Sequence, residues 1–464
     1  MFNEKKKTNS LSTLLMKVGV LITSLATASF ACAVTNNISL AQVTKDVTYL
    51  ASDDLKGRNN YSAEIRLAAD YIAKRFQESG LVAADNISGA DFLQKYQITK
   101  TIPKKINLTI NGQNIASESL AMASTITDFS WAINNNVKNT EFTIHSIGKN
   151  DDMRAIVDTL NNQGGKHLVL LNTDHKALFE RYQHYLQQGS TKLTQEDNGK
   201  NSGGVIVIAL STMKAEKIKT LNVSGVNTIS KNELMNVVAI LPGKTKPEEV
   251  VLYSAHYDHL GVKDDQSDVI YNGADDNASG TTAIINLAHY YAKQGDNART
   301  LMFAAFSAEE IGGFGSSYFS KQLEPQTITA MINIEMIGKP SKFGAGTLWM
   351  TGMDRSNLGE QLNTVLAKSG KKIYEDPYPE QGLFYRSDNA TLARLGVPAH
   401  SFSSAQLDKD QYYHQTSDDL SSLDLTSLHQ IIEMLAMATQ PLVDGNITPS
   451  RIDKKLVKGK GLIF

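Results

Sequence analysis

VVLYSAHYDHLG (250–261) joins a short run of apolar and aromatic residues to a turn carrying two histidines and an aspartate. TLMFAAFS (300–307), AMINIEM (330–336), GTLWM (346–350) and VPAHSF (397–402) are apolar runs of the same kind. Helix-like stretches at 279–293, 312–322, 355–369, 387–395 and 424–441 alternate with them. Runs this uniformly apolar fit strands covered on both faces. Their alternation with helices predicts an α/β fold with a mixed, mostly parallel central sheet and helices on both faces. In such sheets functional groups gather beyond the carboxyl ends of the strands.

Upstream, residues 41–80 read as helix, with Leu50, Leu55, Ala68, Ala69, Ile72 and Phe76 at helical spacings and Gly80 as a stop. DDLKGRNN (53–60) interrupts them as a loop. The texture then changes. INLTI (106–110), EFTIHSI (141–147), HLVLL (167–171) and GVIVIAL (204–210) are strand-like, 179–188 is a polar helix, and 189–204 is a Gly/Ser/Asn/Lys-rich loop. We therefore divide the chain into 34–100 as the first part of a catalytic domain, 101–235 as an inserted, mostly β module, 236–450 as the rest of the catalytic domain, and 451–464 as a basic, solvated tail.

The 464 residues suffice for two domains. A hydrophobic content of 41%, a charged content of 20% and a net charge of −2 give no footprint for nucleic acid. Lys5–Lys7, the apolar stretch 18–30 and Ala31-Cys32-Ala33 have the form of a secretory leader over 1–33. This predicts an exported protein, periplasmic or secreted, and no later run approaches the roughly 18 apolar residues of a stable membrane span. An N-terminal anchor is the bland alternative; lipidation at Cys32 is a minor one, since Ser29-Phe30-Ala31 lacks the usual Leu of a lipobox. Cleavage after Ala33 would remove the only cysteine, leaving N and O ligands for any metal.

Five clusters follow one another at strand-to-turn junctions: SAHYDH (254–259), GADDNASG (273–280), SAEEIGG (307–313), NIEM (333–336) and YYHQT (412–416). His256 and Asp258 leave a strand end on one face, where the carboxylate can orient the imidazole, although a buried hydrogen-bonded His reads equally well by itself. His259 points elsewhere and is read as structural. Asp275 and Asp276 are either acidic caps of the next helix or, with two oxygens on one carboxylate, a bridge between cations. Of Glu309 and Glu310, adjacent acids that repel, one can bind metal while the other moves protons; surface charge is the alternative. Glu335, between Ile334 and Met336, is costly to bury without a cation. His414 is unremarkable alone. Together, in fixed order, the five clusters predict a metal site.

This ordered set closely resembles the M28 family of zinc metallopeptidases, which includes bacterial secreted aminopeptidases. The resemblance rests on SAHYDHLG, GADDNASG, FSAEEIGGFGS, YRSDNATLARLGVPA and YYHQTSDD over roughly 236–440, and on YLASDDLKGRNNYSAEIRLAADYIAKRFQESGL (49–81). It implies a zinc-aminopeptidase-like fold and two Zn²⁺ per chain, with Mn²⁺ or Co²⁺ as substitutes. His256 and Glu310 would bind one ion, Glu335 and His414 the other, and Asp276 would bridge them. Glu309 would be the general base, Asp258 the support of His256, and Tyr413 an oxyanion donor. A cis Asp276–Asn277 bond is implied too. The 101–235 insert falls where some members carry a protease-associated domain. Many members have Asp where this chain has Glu335.

The implied activity is removal of N-terminal residues from peptides with a free N-terminus. A glutaminyl-cyclase-like transferase, for which one zinc suffices, and a non-catalytic binding protein are the alternatives. Arg386, Asp388 and the loop 377–385 either line a specificity pocket or serve the local structure.

Overall fold

The computed structural model describes residues 37–134, 142–194, 204–263, 269–459 and 463. The expected leader over 1–33 with Cys32, and residues 195–203 of the polar loop, lie outside the described residues.

Strand Lys246–His256 runs parallel between Arg299–Phe306 and Ile328–Ile334, with Tyr253 opposite both Phe303 and Ile332. Ala399–Ser403 extends this parallel centre, and Leu348–Met350 and Ile373–Glu375 complete that side. Side chains alternate across the sheet. Val251, Tyr253, Ala255, Leu301, Phe303 and Ala305 face one core, shared with helices Leu40–Leu50, Glu64–Glu78, Gly280–Gln294 and Leu425–Val443. Leu252, Met302, Ala304 and Phe306 face a second core with Phe319 and Leu392, from helices Phe314–Ser320 and Asn389–Ala393. Burial on both faces is why these strands read as unbroken apolar runs, each large side chain contributing about 1.5–3 kcal/mol.

The helix ends follow local chemistry. Ser39 accepts the backbone N–H of Gln42, and Asp424 accepts that of Ser427. Gly295, at φ +64°, closes Gly280–Gln294 in the left-handed region that glycine enters at no steric cost.

On the other side of the centre the sheet turns antiparallel. Leu221–Leu241 pairs with Arg299–Phe306 and, along almost its whole length, with Leu93–Ile110. This ribbon runs from Leu93 opposite Val237 to Ile110 opposite Leu221 and passes residues 101 and 235 without a break. Sequence texture had set the module limits there because the ribbon's outer half alternates polar and apolar. Beyond Ile110 lies a second sheet in the order Leu120–Ser124, Gly204–Leu210, Gly165–Leu171, Thr143–Ile147. Two helices cover it, Lys176–Gln187, expected from sequence, and Met153–Gln163, which was not. Asp152 caps the latter by accepting Ala155 N–H. The tail is not wholly solvated, since Ile452 and Ile463 are buried. Among the described residues no helix is long and apolar enough to cross a membrane.

Candidate metal centre and active site

The parallel strands deliver their carboxyl ends to one place. His256 is the last residue of its strand, Glu335 the first residue past Ile334, and Glu309 and Glu310 stand in the turn after Phe306. Asp275 and Asp276 lie in the turn before helix Gly280–Gln294, and the Asp276–Asn277 peptide bond is cis. His414 sits at φ +55° in a turn of the loop after Ala399–Ser403.

The two oxygens of Asp276 divide the centre. Oδ1 is 3.2 Å from His256 Nε2, which is also 3.2 Å from Glu335 Oε1. Oδ2 is 3.4 Å from His414 Nε2, which is 3.2 Å from Glu310 Oε2. The pairing is thus His256 with Glu335 and Glu310 with His414, which corrects the pairing implied by the resemblance. The physical reason is strand order: His256 and Glu335 end adjacent strands, while His414 arrives from a loop on the Glu310 side.

The donor set fits divalent metal. Ligands held about 2.0–2.2 Å from a tetrahedral ion stand about 3.3 Å apart, as these four contacts do. His256 Nδ1 lies 3.1 Å from the Asp258 carbonyl oxygen, to which it donates, leaving the Nε2 lone pair aimed at two carboxylates. In the protein alone, the nearby acids favour the protonated imidazoles. Burial opposes charge on His256, but Glu335, Asp258 and Asp276 raise its pKa well above the ordinary value. For His414 burial is likewise overcome by Asp276 and Glu310, which raise it to about 10. The same contacts hold Asp276 well below the usual carboxylate range, although burial pushes it up.

Asp258 does a further job beside the expected one next to His256. Its carboxylate Oδ1 is 3.6 Å from His256 Nδ1, whereas Oδ1 accepts the Glu309 N–H at 3.1 Å and Oδ2 the Glu310 N–H at 3.2 Å. Asn60 donates to Oδ2 at 2.6 Å and accepts the Ala308 N–H at 2.8 Å. Asp258 and Asn60 therefore fix the turn presenting the paired glutamates. Burial raises the pKa of Glu309 well above normal, with Glu335, Asp388 and Glu310 adding to it and His256 opposing. Tyr413 stacks on His414 with centroids 3.9 Å apart. Its phenol is kept protonated by burial and by Asp276 and Glu310.

Several participants were not singled out from sequence. Ser387 donates to Glu335 Oε2 at 2.7 Å and thereby fixes the longer side chain that replaces the commoner Asp. Asp418 accepts the N–H groups of Asp275 and Asp276, both at 3.1 Å, and Lys339 lies 3.1 Å from Asp418 and 3.3 Å from Asp275. Arg58 is buried and donates to the carbonyls of Leu50, Tyr257, Asn272 and Gly273, tying the N-terminal segment to the strands bearing the centre. Burial lowers its pKa to about 10, with Asp258, Asp276 and other acids opposing. Asn60 and Arg58 were legible only as part of the loop DDLKGRNN; Asp418 and Lys339 had no local signal beyond charge. Arg386, Ser387 and Leu383 line the cavity above the centre with Met336, Trp349 and Tyr413, while Asp388 is buried near Gly313, its pKa raised to about 7 chiefly by burial. His259, read as structural, contacts Glu310.

Comparison with known proteins gives the class this region is similar to: residues 236–439 match the model of Peptidase family M28. A probable leucine aminopeptidase of Trichophyton verrucosum is 29% identical over 227 residues, 46% of this chain and 55% of its own length. Aminopeptidase YwaD of Bacillus subtilis is 25% identical over 238 residues, 49% of each chain. The chain spans about half the length of these curated relatives. Among solved structures, an aminopeptidase from Aneurinibacillus sp. strain AM-1 covers 91% of this chain and 97% of its own with a TM-score of 0.52 at 17% identity, a likeness of fold.

Proposed function

We propose that the protein is a zinc-dependent aminopeptidase that removes N-terminal residues from peptides. The observation carrying this reading is the division of Asp276, one oxygen toward His256 and Glu335, the other toward Glu310 and His414. Those five residues would hold two ions, Zn²⁺ best matching the N/O donors and Mn²⁺ or Co²⁺ able to replace it. When bound, such a pair supplies a water acidic enough to ionise near neutral pH and polarises the scissile carbonyl.

The chain's own residues do the rest. Glu309, whose burial raises its proton affinity, takes the proton from the attacking water and passes it to the departing amine. Asp258 and Asn60 keep that carboxylate in place through the backbone of its turn. The protonated phenol of Tyr413 meets charge developing on the carbonyl oxygen. Met336, Trp349 and Leu383 offer an apolar wall to the residue being removed, in keeping with relatives named leucine aminopeptidase. The leader-like residues 1–33 support export, checked by sequencing the N-terminus of the mature protein.

Metal analysis alongside profiling of aminoacyl-amide substrates tests the reading. Two equivalents of metal and strict dependence on a free α-amino group are expected. Undiminished hydrolysis after chelation, equal cleavage of N-acetylated peptides, or one equivalent of metal with a cyclised glutaminyl product would overturn it.

A further inference from the structure

Glu310 is flanked by two imidazoles, and they approach it differently. His414 Nε2 is 3.2 Å from Oε2, the spacing of two ligands on one ion. His259 Nδ1 is 2.7 Å from Oε1 and 4.0 Å from Asp276 Oδ2. Two atoms bound about 2.0–2.2 Å from a tetrahedral ion cannot comfortably stand 2.7 Å apart, whereas a charge-assisted hydrogen bond has that length. The first contact is a ligand pair and the second a hydrogen bond.

We infer that His259 is a positioning residue that donates from Nδ1 to Glu310 Oε1 and so restricts Glu310 to a single metal-facing oxygen, Oε2. The surroundings fix the imidazole for this. Its side chain is fully buried, and its backbone N–H bonds to the Arg58 carbonyl at 3.2 Å. A Cβ on Gly273 would lie 2.6 Å from its Cδ2 and Cγ, so that glycine lets the main chain close against the ring. Nε2 is buried without a hydrogen-bond partner among the described residues. A neutral ring with its proton on Nδ1 leaves only a lone pair there, whereas an N–H at Nε2 would be a buried donor with no acceptor.

The chemical consequence is denticity. A carboxylate free to offer both oxygens could occupy two positions on its ion. With Oε1 occupied by His259, Glu310 takes one, which keeps a position open for water or a carbonyl oxygen. The inference rests on the metal reading given above, and the test separates the two.

Chelator-stripped protein is titrated with Zn²⁺ against a chromophoric competitor, comparing wild type with His259→Asn, which keeps a donor near the Nδ1 position, and His259→Phe, which keeps the ring but no donor. The expected result is two equivalents for wild type, one of them weakened about 10–100-fold in His259→Phe and largely restored in His259→Asn. Wild-type affinity for both ions in His259→Phe would overturn the inference alone. Wild type binding fewer than two equivalents would overturn it together with the metal reading. Because His259→Phe can disturb folding, ¹⁵N NMR of the wild-type histidines gives an independent test: His259 should keep Nδ1 protonated and uncoordinated when Zn²⁺ is added. A metal-coordinated Nδ1 would make it a ligand and overturn the proposal.

Discussion

Asp258 reaches Glu309 through the backbone, accepting its N–H at 3.1 Å while the second oxygen takes the N–H of Glu310. Besides standing next to His256, the acid of this H-x-D pair anchors a turn. Asp258→Ala should therefore leave two buried N–H groups unpaired, costing about 1–3 kcal/mol each. The loss should appear as a fall in kcat of about tenfold or more with KM little changed, since the turn that loosens presents the base. Steady-state kinetics at saturating metal, with a melting curve to confirm folding, check this.

Glu309→Gln separates binding from proton transfer. The amide keeps the size of the side chain but cannot accept the proton. Metal content should stay at the wild-type value while turnover falls about a hundredfold to ten-thousandfold. Normal peptide hydrolysis by this variant would remove Glu309 from the mechanism.

Metal binding should release protons. In metal-free protein His414 has its pKa raised to about 10, so it is protonated at pH 8 and must lose a proton to become a ligand; neighbouring acids shift His256 in the same direction. Calorimetric titrations in buffers of differing ionisation enthalpy will count the protons released. For folding the sign is the reverse of a metal ligand's. A raised histidine pKa stabilises the stripped protein below the unfolded value of about 6.5, and that contribution fades as pH rises through about 10. Stripped protein should therefore lose melting temperature across this window more steeply than the zinc-loaded form.

Glu335 and Ser387 form a matched pair. Shortening the acid in Glu335→Asp draws the carboxylate away from the Ser387 hydroxyl, 2.7 Å away in the native protein. One metal should weaken, by about 10–100-fold, with Ser387→Ala producing a smaller shift in the same site. Competition titrations read both.

Lys339 lies 15% exposed among Asp275, Asp410 and Asp418. Lys339→Met would leave those acids without their cation, a loss of roughly 3–5 kcal/mol for a buried pair broken on one side. The variant should recover as pH falls. Asp275, its pKa already raised to about 7 by burial, then becomes neutral, and a raised carboxyl pKa makes folding less favourable as pH rises. Melting temperatures at pH 5.5 and 8.5 check the direction.

The catalytic half was legible because its physics is local. Tyr253, Phe303 and Ile332 are buried on both sides of a parallel sheet, so their runs stand out, and the helices between them lie within a few residues of expectation. Which of the site's side chains lie side by side was not legible. His256 meets Glu335 across adjacent strands 79 residues apart, a register fact that spacing along the chain does not carry. Arg58 and Asn60 were hidden for the same reason, their partners lying some 200 residues further on. The ribbon was missed because its exposed stretch looks like any polar strand, and pairing alone makes it long.

That ribbon joins residues 101–235 to the main sheet. Its two rails remain bonded to each other as far as Ile110 and Leu221, and at the opposite end Tyr96 bonds Ser307 beneath the catalytic turn. Gln113–Asn114, Asp128–Ile133 and Ser190–Leu193, which lie between those rails in the chain, pair with the ribbon, so an excision at its far end would take three strands out of the main sheet. One cut at 101 and 235 would keep Tyr96 but remove Ser230–Met235, the partners of Lys95–Lys100. Residues 101–235 are therefore woven into the main sheet, and Leu193 joins Ala308 and Phe314 in one apolar cluster beside the turn of Glu309 and Glu310.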